Sequence, residues 1–590
     1  RFAYHGVLPQ LSAAAEATGG VMPSSWRLIE TDDRAVRELA STLALPEPVV
    51  RVLFTRGFSK EDSIDRFLRK SMADLENPTV LSGMKEAVGR LVKAIRNHEK
   101  ILVHGDFDAD GITSTALLIA FLRDIGADVT PFIPNRLLEG HGISRRAMDL
   151  ASSSGVRLLI TCDCGSSNIS EISELAKAGI DTIVTDHHEP PQELPPGLVI
   201  VNPKLSRGSG AQDDLSGVGV AFMLAVALRA RLREEGYFVD RTEPNLKNYL
   251  DIVALGTLAD MAPLCGQNRI LVSHGLDQLR VSSRPGVEAM REKAGLSPSA
   301  VIHADDVGFR LAPRINAAAR LGHADQALEL LLTDRFGRAE ELAAQLEAWN
   351  TERKELETRM TRLATFDAER QITEGANVVI VSSEDFHPGV IGLVAQKLAQ
   401  RFGIPAFVFS LQGDEAKGSA RSRSGVDLVT ALRGCASILV GFGGHREAAG
   451  CTLERKRLHE FSQQFRREVA LQAVYAAQEI LIDAELNLGQ VNDRFLTDLN
   501  RLRPFGIGNP EPVFRTTAKV LGTPREMGKD HVRVTLHDGA GPTYSAIGFG
   551  MYRSIGSFLK GTVQVVYTPE ENFWQGRREV RIKLRDVRSV

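Results

Sequence analysis

The sequence predicts an α/β protein in three parts: a parallel-sheet domain, a second α/β domain at the far end of a long helix, and an all-β barrel at the C-terminus. Three observations predict it. Short apolar runs that end in polar clusters and lead into helical patterns recur between residues 100 and 190. One uninterrupted helical pattern then runs from Arg338 to about Glu369, and five short β-like runs follow residue 515. At 590 residues the chain exceeds one ordinary core, and about 150 residues per domain argues for about three or four. With 43% hydrophobic and 25% charged residues the composition is that of ordinary globular material. No apolar run reaches the ~18 residues that would suggest a membrane span.

The chain opens on Arg1 and not Met, which suggests trimming, and residues 1–24 lack the charged-then-apolar pattern of a secretory signal. Residues 26–100 look mostly helical, and 1–75 are set apart as an N-terminal helical lead-in. Val49 to Phe58 carries apolar residues at helical spacing until Gly57 stops it, and Met84 to Ile95 resumes with Met84, Val88, Leu91, Val92 and Ile95. The lead-in is expected to pack on the domain after it.

Residues 76–335 form the parallel-sheet domain. Ile101, Leu102 and Val103 read as a buried strand and Ile112 to Ile125 as the helix after it, with His104, Asp106, Asp108 and Asp110 in the turn between. The grammar repeats: Leu158 to Ile160 runs into Thr161-Cys-Asp-Cys-Gly165, and Thr182 to Val184 runs into Asp186-His187-His188. Parallel sheets place their ligands beyond the carboxyl ends of the strands, so neighbouring strands bring these groups together. A helix from Asn248 to Leu258 delivers Asp260 to the same edge. Carboxylates this crowded repel one another unless a cation neutralises them, and hard divalent metals take oxygen ligands readily. Cys162 and Cys164 flank Asp163 on a strand and are expected to point away from its face, as packing. The five cysteines form no CxxC pair and are odd in number, which speaks against a disulfide framework and for a reducing cytosol.

Residues 336–371 form the connecting helix, with Leu342, Leu346, Trp349, Leu356, Met360 and Leu363 in one apolar stripe. Residues 372–484 form the second α/β domain, which carries Phe386-His-Pro-Gly-Val-Ile-Gly392, Gly418-Ser-Ala-Arg-Ser422 and Gly441 to Gly450. Glycines beside Ser, Arg and His let backbone amides approach an anion, and arginine clamps phosphate with a bidentate fork. Residues 485–590 form a small barrel of OB type, a fold that binds single strands by charge and stacking. The formal charge is −3, yet residues 501–590 hold 15 Lys+Arg against 8 Asp+Glu, so the basic end is the C-terminal one. Phe549, Tyr552, Tyr567, Phe573 and Trp574 are the available stackers.

The histidine and aspartates of His104 to Asp110, the Asp-Cys-Gly at Asp163, the Asp-His-His at Asp186 and the Gly-Thr-Leu-Ala-Asp ending at Asp260 resemble, in order, the four motifs of the DHH phosphoesterase superfamily. The resemblance implies a two-metal phosphodiester hydrolase using Mn²⁺ or Mg²⁺. His104 and Asp108 would hold one ion, and Asp110, His187 and Asp260 the other, with Asp163 shared. Asp163, Asp110 and His188 would be the catalytic set, His188 touching a phosphate or protonating the leaving group. Asp106 and Asp186 would lie behind the ligands and orient them.

With Pro313 to Arg320, the second-domain motifs and Pro504-Phe-Gly-Ile-Gly-Asn-Pro-Glu-Pro512 in place, the domain order is similar to the branch of that superfamily that degrades single-stranded DNA 5′→3′ to mononucleotides. This likeness implies a 5′-phosphate pocket of Arg136, an arginine of residues 313–320 (Arg314 or Arg320), Ser419 and Arg421, with Asn316 nearby and His445 on the scissile phosphate. It also implies a role in recombination and repair, single-strand-binding protein and a helicase as partners, a monomer, no membrane, and a bacterial cytoplasm. Ala319 and His141 depart from the pattern, which commonly has Gly and Tyr there. Two alternatives share the core: a phosphodiesterase of short oligoribonucleotides or cyclic dinucleotides, which normally lacks the barrel, and a non-catalytic replication scaffold, which loses metal ligands.

Overall fold

In the computed structural model the described residues are 25–590 apart from 192–193, 195–198, 207–213, 424, 473–478, 529, 540, 557–558 and 575–576. The apolar runs of the first α/β domain form a five-stranded parallel sheet. Its order is Val129–Phe132, Lys100–Gly105, Val156–Cys162, Asp181–Thr185 and Val199–Val201. The first and last of these were not legible in the sequence, since each is a short edge strand of three or four residues. The expected helix after the first ligand cluster spans Ala109–Asp124 and is buried on nearly every face, as is the helix Gly217–Glu234 beside it. These two and Leu250–Ala259 pack on one another, so the segments that deliver Asp110 and Asp260 share one core.

The connecting helix, Phe336–Thr373, belongs to two cores. Ala339, Leu342 and Leu346 bury into the first domain and Met360, Ala364 and Ala368 into the second. Leu363, expected in the stripe, is 44% exposed, because the helix turns a different face to each domain. The second domain is a five-stranded sheet, Gly441–Gly444, Ala448–Glu454, Glu415–Arg421, Ala406–Gln412 and Val379–Ser383, with Ile391–Phe402 packed on it. The glycine motifs read as anion-binding turns lie largely on its adjacent strands. Gly418 is required there because a Cβ would sit 2.3 Å from the Phe409 ring.

The five C-terminal runs form Phe514–Met527, His531–His537, Tyr544–Gly548, Thr562–Trp574 and Arg577–Ser589, and pairing of the first with the fourth closes a barrel. Tyr567, named as a stacker, is fully buried with its hydroxyl donating to the Leu486 carbonyl, whereas Phe549 is 50% exposed. The side chains of Phe573 and Trp574 lie outside the described residues. Much of the barrel's basic excess is paired with carboxylates, Arg581 with Glu570 and Lys583 and Arg585 with Glu511.

The lead-in corrects an expectation. Its helices Asp33–Leu43, Glu47–Thr55 and Glu61–Arg69 bury their apolar faces against the barrel and touch the domain next in the chain at Phe67 and Lys70, which meet Arg269 and His274, and Ser25–Leu28 is a strand paired in parallel with Glu479–Ile482. Val36, Val49, Leu53 and Ile64 share a cluster with Phe514, Val565 and Tyr567. An amphipathic helix states that it has a buried face but not which surface buries it.

Candidate active site

Each strand end is tied to its neighbour by the backbone. Asp106 N–H donates to the Cys162 carbonyl (3.1 Å), Asp163 N–H to Thr185 (2.9 Å) and Asp186 N–H to Val201 (3.1 Å). The three clusters are thereby set side by side. Asp163 takes a left-handed conformation, φ 61°, which a non-glycine residue adopts at a cost and which turns its carboxylate onto the shared edge.

The expected residues converge. Asp110, His187 and Asp260 present ligand atoms within 4.8 Å of one another, and so do Asp106, Asp108 and Asp163, and Asp163, His187 and His188. Asp106 thus joins a cluster the sequence placed it behind, while His104 lies outside all three groups. His104 is fully buried, stacked on Phe132 at 5.3 Å, with Cys164 Sγ 3.7 Å from its Nδ1. Cys164 therefore touches a candidate ligand, whereas Cys162 lies in the core.

The carboxylates are held by backbone amides. Asp108 caps its helix, Oδ1 accepting from Asp110 and Gly111 N–H, and Asp110 accepts from Gly217 and Val218 N–H at 2.7 and 2.9 Å. Asp186 accepts from the amides of Ser166, His187 and His188 and from His188 Nδ1 at 2.8 Å. Sequence reading missed the start of helix Gly217–Glu234. Its only signal was Ser216, an N-cap, before two glycines, and a Cβ on Gly217 would meet Asp163 at 2.7 Å. His141 was noted only as a departure. It lies 3.0 Å from Asp106 through Nδ1, its ring 5.4 Å from that of His188.

The electrostatics carry the signature of a cation site. Burial and then Asp108 push Asp110 up to about 7, and burial and then Asp110 and Asp108 push Asp260 up to about 9. Asp163 is raised by burial and by the four carboxylates around it. Burial presses His104 and His187 down to about 4, keeping them neutral and able to ligate. Burial opposes the charge on Asp186, but the hydrogen bonds from His188 outweigh it and hold that carboxyl below its ordinary range. His104 Nε2, His187 Nε2 and Asp163 Oδ1 are buried without a hydrogen-bond partner, the last two 3.0 Å apart but misaligned. Unsatisfied imidazole and carboxylate atoms converging among crowded carboxylates fit a divalent metal pair.

Beside this cluster lies a cavity of about 430 Å³, lined by Arg136 and Arg320 of the first domain and Ser419, Arg421, Gly389 and Gly392 of the second. Arg421 donates to Ser419 Oγ and to the Ala420 carbonyl, and Arg320 to the Gly389 carbonyl. Burial and then Arg136 and Arg421 hold Arg320 down to about 9, so the guanidinium groups repel one another as the carboxylates do. Gly389 and Gly392 were quoted in the sequence without a role. A Cβ on the first would lie 2.1 Å from the Arg320 carbonyl and one on the second 3.0 Å from the Arg421 guanidinium.

Arg314, the other candidate, is not brought here. Its side chain is buried, paired with Glu347 and donating to the Arg310 and Lys293 carbonyls. Asn316 accepts from the Ala109 amide and so braces the ligand turn. His445 is on an exposed turn, its imidazole held below its ordinary range by burial and then His188 and Lys204. Phe107, between Asp106 and Asp108 in the chain, carries the Arg136 guanidinium 4.8 Å above its ring and so joins the two sites.

Family models match in three places: DHH family, N-terminal domain at residues 100–257, DHHA1 domain at 375–471, and RecJ OB domain at 482–586. The chain is 35% identical over 579 residues to the single-stranded-DNA-specific exonuclease RecJ of Escherichia coli K12, covering 95% of this chain and 99% of that one. It is 34% identical over 574 residues to the Bacillus subtilis 168 protein of the same description, covering 95% and 70%. The crystal structure of RecJ in complex with Mn²⁺ from Thermus thermophilus superposes with a TM-score of 0.82 at 32% identity, over 96% of this chain and 80% of that one. With this identity spanning all three domains, the chain belongs to the RecJ family.

Proposed function

We propose that this protein is a divalent-metal-dependent exonuclease that degrades single-stranded DNA 5′→3′ to mononucleotides in recombination and repair. The observation that carries the reading is the placement of an arginine pocket beside a carboxylate–histidine cluster, the two joined where Arg136 lies over the ring of Phe107. Like-charged guanidinium groups converging in one buried cavity call for a phosphate, and a terminal phosphate gripped there sets the next phosphodiester over the carboxylates.

Asp110, His187 and Asp260 would hold one ion, His104 and Asp108 the other, and Asp163 both, with Asp106 close enough to contribute. When bound, the pair supplies an activated water and stabilises the phosphate oxygens and the departing oxygen. Arg320, Arg421 and Arg136 bind the 5′ phosphate and fix the register of the strand. Asp186 orients His188, whose charged form it favours, so that the ring can donate to the leaving 3′ oxygen. His445 meets the scissile phosphate from the second domain. Phe549 and the basic residues of the barrel would guide the strand in. By family, the setting is a bacterial cytoplasm, the state a monomer, and the partners single-strand-binding protein and a helicase.

The test is manganese-dependent digestion of oligonucleotides with a 5′ phosphate, labelled at either end, as single strand, duplex and RNA, with Asp163→Ala as control. A shrinking ladder of 3′-labelled products on single-stranded DNA, absent in the control, is the expected result. Cleavage confined to short oligoribonucleotides, or binding without cleavage under any divalent metal, overturns it.

A further inference from the structure

Asp260 is held differently from its neighbours. Backbone amides fix Asp108, Asp110 and Asp186, and Asp163 is enclosed at a strand end, 2% exposed. No hydrogen bond from a described residue reaches the Asp260 carboxylate, which is 28% exposed just past the helix Leu250–Ala259. Its position is inherited from the backbone on either side. Upstream, its N–H donates to the Gly256 carbonyl at 2.9 Å. Downstream the chain turns at once through Met261, φ 60°, Met261 and Ala262 donate back to the Leu258 and Thr257 carbonyls, Asn268 donates to the Pro263 carbonyl, and the first backbone tie to another domain is at Leu264.

That tie is made by the barrel's approach loop. Leu264 N–H donates to the Ile507 carbonyl at 2.7 Å, and Cys265 Sγ donates to the Gly508 carbonyl at 3.3 Å. The two loops are in close contact: a Cβ on Gly506 would lie 2.8 Å from Leu264 Cδ1, and one on Gly508 would lie 2.7 Å from Cys265 Sγ. Leu264 is 1% exposed and has little room to move. The approach loop is in turn clamped by the helix that comes after Asp260. Arg269 in Gly266–Val281, 2% exposed, donates to the carbonyls of Phe67, Pro504 and Arg501 and lies 3.7 Å over the Phe67 ring. Asn509, fully buried, donates to the Leu502 and Pro504 carbonyls, and Arg56 donates to Asn509 and Pro510.

We propose that the approach loop, through Ile507 and with Arg269 as its clamp, positions Asp260, so that the barrel contributes to the chemical step as well as to strand capture. This rests on reading Asp260 as a metal ligand. Ile507 and Arg269 are positioning residues, acting only through the loop that carries it.

The full-length chain tests this with Gly506→Ala and Arg269→Lys. The φ of Gly506 is outside the left-handed region, so alanine strains no backbone and acts through Leu264. An ammonium cannot reach three carbonyls, so lysine loosens the clamp while keeping the charge. Two readouts are taken: calorimetric titration of Mn²⁺ into the DNA-free protein, and kcat and KM on single-stranded DNA. Expected are weaker Mn²⁺ binding and a kcat lowered about tenfold to a hundredfold with KM unchanged, since small displacements at a reacting centre cost this much. Adding Leu264→Val to Gly506→Ala removes the atom struck and restores both. Wild-type Mn²⁺ binding and kcat in both variants overturn the proposal, as does a change confined to KM, which assigns the loop to strand capture alone. Should the wild-type chain leave single-stranded DNA intact, the functional reading fails while the Mn²⁺ titration still decides this one.

Discussion

Gly256 stands one turn before Asp260, and alanine there pits two effects of opposite sign against each other. In a helix interior alanine is favoured over glycine by about 0.5–1 kcal/mol, because glycine loses more backbone freedom on folding. Gly89, exposed in the helix Met84–Arg96 with nothing within 4 Å of an added Cβ, isolates that term. Gly89→Ala should therefore stabilise the chain by about 0.5–1 kcal/mol. At Gly256 the same Cβ would lie 2.1 Å from Thr113 Oγ1, 2.8 Å from Val218 Cγ1 and 2.9 Å from Asp110 Oδ1. Thr113 is fully buried and its hydroxyl is engaged with the Ala109 and Asp110 carbonyls, so it cannot yield without losing a buried hydrogen bond. Overpacking costs about 1–3 kcal/mol and the orphaned hydroxyl about as much again, so after the helix gain is subtracted Gly256→Ala should destabilise by about 1–5 kcal/mol net. Thermal unfolding of the two variants beside the wild type, in EDTA, reads the signs directly. Gly256→Ala should also weaken Mn²⁺ binding, because Asp110 is among the atoms displaced. A raised midpoint with wild-type Mn²⁺ affinity in Gly256→Ala would refute the reasoning that these helices meet without room for a methyl group.

Three further outcomes are expected. Asp163→Asn should lower DNA degradation by more than ~100-fold and yet raise the unfolding midpoint of the EDTA-treated protein, because it removes one charge from a buried cluster of carboxylates. The EDTA-treated protein should lose stability as pH rises from about 4 to about 9: Asp110 (about 7) and Asp260 (about 9) titrate above their unfolded values, the native state binds the extra protons, and the slope is negative in that window. Saturating Mn²⁺ should flatten that profile, which denaturation at a series of pH values reads, and a flat profile in EDTA would count against the cluster. Arg421→Ala should raise KM for 5′-phosphorylated oligonucleotides by about 10- to 100-fold, the size of a lost charge-assisted hydrogen bond. It should leave KM for 5′-hydroxyl oligonucleotides nearly unchanged, and an equal loss on both ends would place the phosphate elsewhere.

The strand ends were legible because each apolar run is short and stops abruptly in titratable residues, a pattern that solvation alone does not produce. What the sequence withheld was partner choice. Asp110 is held by amides more than a hundred residues downstream, at Gly217 and Val218, and nothing local to either segment announces the other. The lead-in's apolar face was visible, but its partner was the barrel at the other end of the chain. Arg314 and Arg320 are a different case. Six residues on a helix turn about 240°, so the two cannot share a face, and periodicity could have said that only one enters the pocket. Which one depends on Glu347, on the connecting helix, and on the Gly389 carbonyl, in the second domain.

The two clusters also explain each other. One gathers carboxylates that burial and mutual repulsion push upward, and the other gathers guanidinium groups that the same two effects push downward. Had the arginines reached the aspartates, each would have been satisfied and neither would need a ligand. Held apart, the acidic side is complementary to divalent cations and the basic side to a phosphate. On the proposed function a single strand of DNA would meet both demands together, with its terminal phosphate on the arginines and its first phosphodiester over the carboxylates.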